Sequence, residues 1–146
     1  MADFPARVYH YASYLTAALV RNAGGFSGFE TFDAAVLEFD FVPNGNVVVF
    51  DYVFSSDEYN EWVSSPFNDV FAFFLNGVNI AATPAICSGG GIPVAINNVN
   101  CDNPYNPPNG QNCALYKTNA CDSLGLGYPC TNIATEMDGM TVVFSA

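Results

Sequence analysis

Between residues 36 and 80 the chain alternates short apolar runs with turn-forming residues, and this rhythm constrains its fold more than any other feature. In Val36-Leu37-Glu38-Phe39-Asp40-Phe41 the period is two. Leu37, Phe39 and Phe41 share one face, Glu38 and Asp40 the other, which is the pattern of a half-buried strand. Pro43-Asn44-Gly45-Asn46 supplies a turn. Val47 to Phe54 is apolar on both faces apart from Asp51, which predicts a central strand covered on both sides. Asp69 to Leu75 predicts another strand, and Asn76-Gly77 ahead of Val78-Asn79-Ile80 is a two-residue hairpin signal. Further strands are expected at Pro93 to Asn97 and Met140 to Ser145. Tyr11, Leu15, Ala18 and Leu19 recur at helical spacing, so a short helix is expected over residues 10–21, ended by Asn22-Ala23-Gly24-Gly25. The sum is an all-β fold, an antiparallel β-sandwich or jelly-roll-like domain with one short N-terminal helix. No internal repeat or linker divides residues 1–146, so one domain is expected, with 1–29 as its N-terminal helix and extension.

Charge excludes several partners. Fourteen acidic residues face three basic ones, for a formal net charge of −11. Phosphate neutralisation needs clustered Lys and Arg, whereas Arg7, Arg21 and Lys117 are scattered, so nucleic acid is not a partner. An anionic membrane surface is disfavoured for the same reason. No apolar run reaches the roughly 18–20 residues of a membrane span, so membrane insertion is not expected. Tyr14 to Val20 is too short and Asp3 too acidic for a secretory leader, which leads us to expect a mature or trimmed chain if the protein is exported.

The five cysteines at 87, 101, 113, 121 and 130 form no C-x-x-C, and the only histidine, His10, lies far from them. That disfavours zinc. Cys101 and Cys113 bracket one Gly/Pro/Asn-rich loop, and Cys121 and Cys130 bracket another. Several pairings are open; proximity favours 101–113 and 121–130, leaving Cys87 free or bonded to another chain. Disulfides imply an oxidising, extracellular compartment.

Sequence signatures of catalysis are absent. There is no G-x-S-x-G, no Gly-rich phosphate loop and no H-E-x-x-H, and a Ser–His–Asp triad would rest on His10 alone. A glycosidase-like pair of carboxylates stays open, because two Asp or Glu are all that chemistry demands, but any acidic chain offers such pairs and we expect no enzyme. One constellation does stand out. Asp57, Glu58, Glu61 and Asp69, with Asn68 beside the last, crowd into the segment joining two apolar strands, and no Lys or Arg lies between Arg21 and Lys117. Like charges so close repel, and a hard, oxygen-seeking cation relieves them. Calcium is the expected cofactor, against the plain alternative of a solvated acidic turn.

The same stretch resembles a known family. Leu37 to Pro43, Phe50 to Tyr59 and Phe67 to Phe74 are similar to the signature of the choice-of-anchor L domain of secreted bacterial surface proteins, as are Asn79 to Ala81, Pro93 to Asn100 and Met137 to Thr141. The Cys-rich segment 101–130 lies outside the common pattern and reads as a loop insertion. The resemblance implies a β-rich extracellular or cell-surface module without established catalytic activity, and it marks Asp57, Glu58, Asn68, Asp69 and Asp138 as pattern positions.

The metal-ligating set is therefore expected to be Asp57, Glu58, Glu61, Asn68, Asp69 and Asp138. With no sorting motif or hydrophobic tail in the sequence, the module is expected to stand alone or to assemble as a homo-oligomer or filament. A segment such as Ala6 to Val20 is a candidate to pack onto, or add a strand to, a neighbouring subunit. The alternative is a calcium-dependent adhesion module for a glycan or surface partner, with Trp62, Tyr105, Tyr116 and Tyr128 as stacking platforms.

Overall fold

The computed structural model describes the backbone of residues 6–9, and residues 35, 37–76, 78–81, 91–101, 110–120 and 130–146. The helix expected over 10–21 and the side chains of Cys87, Tyr105, Cys121 and Tyr128 lie outside the described residues. The fold is all-β. Its strands are β1 (Ala6–Tyr9), β2 (Phe39–Phe41), β3 (Asp51–Tyr52), β4 (Ser55–Ser56), β5 (Val70–Phe71), β6 (Phe74–Leu75), β7 (Val78–Asn79), β8 (Val94–Ala95), β9 (Tyr116–Thr118), β10 (Gly139–Thr141) and β11 (Phe144–Ser145). All described pairings are antiparallel. The chain divides into two compact units, Met1–Phe50 with Ala72–Pro93 and Ala146, and Asp51–Phe71 with Val94–Ser145.

The first unit holds a four-stranded sheet in the order β2-β1-β6-β7. The Asn76-Gly77 hairpin forms as its sequence dictates. Leu75 pairs with Val78, and Asn76 takes the left-handed φ of 50° that asparagine tolerates in such turns. Asn79 Oδ1 accepts the backbone N–H of Phe73 and of Ala81 at 3.1 and 3.0 Å, which fixes the strand beyond the turn. Phe41, Phe50 and Phe73 meet edge-on, with centroids 5.9 and 4.6 Å apart. The face expected to be buried at 37–41 is covered only at its end: Leu37 is 65% exposed and Phe39 42%, while Phe41 is half-buried. Alternation says which side chains share a face, not whether anything lies over it.

The second unit holds three small sheets, β4-β10-β9, β11-β3 and β5-β8. Phe54, Tyr59, Val63, Val94, Ile96, Val99, Cys101, Tyr116 and Phe144 form its core. Three expectations change. Residues 47–54 are not covered on both sides: Val48, Phe50 and Tyr52 are half-buried and Phe54 buried, while Val47, Val49, Asp51 and Val53 are exposed. Valine at the outward positions hides an ordinary period of two. The single strand expected over Asp69 to Leu75 is two, because β5 pairs with β8 whereas β6 pairs with β1 and β7. Met140 to Ser145 divides likewise into β10 and β11, with the Val142 N–H turned to the Leu115 carbonyl at 2.8 Å.

Candidate functional site

The acidic segment 55–69 is anchored by its own apolar residues. Tyr59 and Val63 stand four apart, so one turn of chain puts both on the same side, and both are buried in the core of the second unit. The Trp62 N–H donates to the Glu58 carbonyl at 3.2 Å, closing that turn. Asn60 and Ser64 adopt left-handed φ values of 71° and 67°. The Asn60 amide oxygen accepts the Tyr116 hydroxyl at 2.7 Å, and the ring centroids of Tyr59 and Tyr116 lie 4.8 Å apart. Gly139 sits against this pair. A Cβ there would lie 2.7 Å from the Tyr116 ring and hydroxyl and 2.7 Å from the Tyr59 ring.

Burying Tyr59 and Val63 fixes where the flanking acids emerge. Asp57 and Asp69 are exposed; Glu58, Glu61 and Asp138 are half-buried. Buried Ser56 ties the two ends together, donating its hydroxyl to Asp69 Oδ2 at 2.8 Å and accepting the Glu58 N–H at 2.9 Å. Asn68 secures the backbone: its Oδ1 accepts the Asn97 N–H at 3.0 Å, while the Asn97 side chain holds the Ser64 N–H and the Ser65 carbonyl. Asp138 lies in the bend just ahead of β10, where its carbonyl accepts the N–H groups of Asn119 and Ala120 at 2.8 and 2.9 Å. The Asn119 side chain in turn pins residues 131–137 through Thr131, Ile133 and Met137. Among the described residues, the buried atoms Tyr59 Oη, Asn60 Nδ2 and Glu61 Oε2 meet no hydrogen-bond partner.

These carboxylates feel one another. Burial raises the Glu58 pKa, and the charges of Asp69, Asp57 and Glu61 raise it further. Burial also raises that of Asp138, with Asp57 adding to it. They form an electrostatic group without meeting at one point: among the described residues no three His, Cys, Asp or Glu side chains converge closely enough to hold a metal ion. Burial makes three tyrosines resist ionisation, with half-buried Tyr52 and buried Tyr116 pushed up to about 12 and Tyr59 higher still. Tyr116, expected in a loop as a stacking platform, is a core residue on β9, whereas Trp62 is exposed and packs edge-on against Phe67 at 4.9 Å.

A family model described as the choice-of-anchor L domain matches residues 12–146, essentially the whole chain. The chain belongs to that family. No curated protein and no solved structure matches it. Membership makes this choice-of-anchor L domain a secreted or cell-surface bacterial protein. The match begins well before the signature at Leu37, so the family pattern takes in most of the N-terminal extension as well.

The raised carboxyls give a signed prediction. A carboxyl whose folded pKa is raised contributes stability while protonated and loses it as pH rises through that pKa. In EGTA, Glu58→Gln is therefore expected to melt higher than the parent at pH 7, and the gain is expected to vanish at a pH of about 4, where the parent carboxyl is itself largely protonated. Equal gains at both pH values would show that charge is not the cause.

The sequence reading missed the packing roles of Tyr59, Val63, Tyr116 and Gly139. The spacing of Tyr59 and Val63 was a readable signal. The need for glycine at 139 was not, because it depends on two rings distant in sequence.

Proposed function

We propose that this domain is a non-enzymatic structural subunit of a bacterial surface layer or matrix fibre, self-assembling and stiffened by calcium. The observation that carries the reading is the run of outward apolar residues in a surface-associated domain: Leu37, Val42, Val47 and Val49 are each more than 60% exposed. Apolar side chains so concentrated in one segment favour contact with another protein surface. A homo-oligomer or filament supplies that contact without a further partner.

Calcium enters through the repulsion among Asp57, Glu58, Glu61, Asp69 and Asp138. Since no three of them converge, the ion takes one or two carboxylates, with backbone carbonyls and water completing its six to eight oxygens. Such a site is weak, with a Kd on the order of 0.1–1 mM as in extracellular modules. Its effect is to hold Asp57–Glu61 against the start of β5 and the Asp138 turn, adding stability by mass action.

Sedimentation velocity with EGTA and with calcium tests assembly. The expected result is larger species in calcium; monomer under both conditions would refute it. A second reading, a calcium-dependent glycan- or partner-binding adhesion module, draws on the exposed Trp62–Phe67 pair beside the acidic group. A monomer whose Trp62 fluorescence responds to polysaccharide only in calcium would favour it.

A further inference from the structure

The backbone of β1 does more than decorate the first unit's sheet: it joins the sheet's halves. On one side Ala6, Arg7 and Val8 pair with Phe41, Asp40 and Phe39; on the other, Val8 and Tyr9 pair with Leu75 and Phe74. In the order β2-β1-β6-β7, β2 and β6 touch no common strand but β1. Without it, two strand edges would face each other with unpaired N–H and C=O groups, and an unpaired edge is a template for another strand. β1 is also remote from its partners in sequence, since residues 10–38 separate it from β2, whereas β6 and β7 form a local hairpin.

We propose that the place between β2 and β6 accepts Ala6–Tyr9 from a second copy of this chain, so that each subunit's first strand completes the sheet of the next. The inference rests on the self-assembling reading above and names its joint. The incoming strand makes the same antiparallel ladders in the same register as the chain's own β1, so exchange forfeits no backbone hydrogen bond. Repeated head to tail, the exchange produces a chain of subunits rather than a closed pair. The exposed residue Phe39 flanks the joint on β2, with exposed Leu37 just ahead of it.

The test uses full-length chains, and peptide mapping locates each disulfide. One preparation adds Val8→Cys and another adds Leu75→Cys, and the two are mixed before assembly and oxidised. Because Val8 lies opposite Leu75, exchange is expected to yield a disulfide between the two preparations within the sedimenting polymer. Polymers without that bond, together with an intrachain bond in the Val8→Cys/Leu75→Cys double variant, would overturn the strand exchange and leave assembly standing. Absence of polymers under every condition would remove assembly and the exchange with it. If the cysteine variants do not fold, a peptide of residues 1–12 added to the unaltered chain decides. Dose-dependent shortening of polymers, absent with a scrambled peptide, supports the exchange; unchanged polymers overturn it.

Discussion

Gly139→Ala is expected to cost about 3 kcal/mol or more of unfolding free energy. The reason is local and geometric. The new Cβ would stand 2.7 Å from both the Tyr116 and Tyr59 rings, a separation real Cβ contacts do not show. Neither ring has room to retreat: Tyr59 is fully buried, and Tyr116 is held by its hydrogen bond to Asn60 and by β9. Relief would need β10 to move away from β4 and β9, breaking the ladders at Ser56 and Thr118. Gly45→Ala is the control, since nothing lies within 4 Å of a Cβ at Gly45. Its effect is expected to stay within about 0.5 kcal/mol of zero. Urea denaturation of the two variants measures the contrast, and similar midpoints would contradict the packing described for Gly139.

Removing the Cys101–Cys113 disulfide by a double change to alanine is expected to cost about 2–3 kcal/mol. The bond closes a loop across a sequence separation of 12 and joins buried Cys101, a core residue, to the 3-10 turn Cys113–Leu115 that leads into β9. Substitution is preferable to a reductant because Cys130 is also disulfide-bonded. The neck of the loop carries other ties: the Asn100 side chain reaches the Ile96 carbonyl and the Gln111 N–H, and Asn112 Nδ2 reaches the Asn98 carbonyl at 2.7 Å. If those hydrogen bonds alone define the neck, the double variant will lose less than about 1 kcal/mol in urea. A drop in the midpoint matching about 2–3 kcal/mol assigns the constraint to the covalent bond.

Local chemistry was legible in the sequence wherever structure depends on neighbours in the chain. The Asn76-Gly77 turn states its own conformation and register, and proximity identified the Cys101–Cys113 pair. The family signature between Leu37 and Phe74 was readable for the same reason, as a contiguous pattern. What depended on distant partners was hidden. Val47 and Val49 look like core residues and are exposed, because an outward valine carries no mark of its direction. β9 went unseen between two loops rich in Gly, Pro and Asn, although Tyr116 and Thr118 alternate inward around Lys117. In the acidic segment the charges drew attention, whereas Tyr59 and Val63, which fix their positions, were the less conspicuous residues.

The central claim is that calcium relieves the repulsion among Asp57, Glu58, Glu61, Asp69 and Asp138 and thereby prepares a surface domain for assembly. A thermal melt in EGTA and in a few millimolar calcium, recorded with light scattering, tests it most directly. The account predicts a higher Tm in calcium, accompanied by scattering that grows before unfolding begins. An unchanged Tm together with unchanged scattering would contradict it and leave the acidic segment a solvated turn.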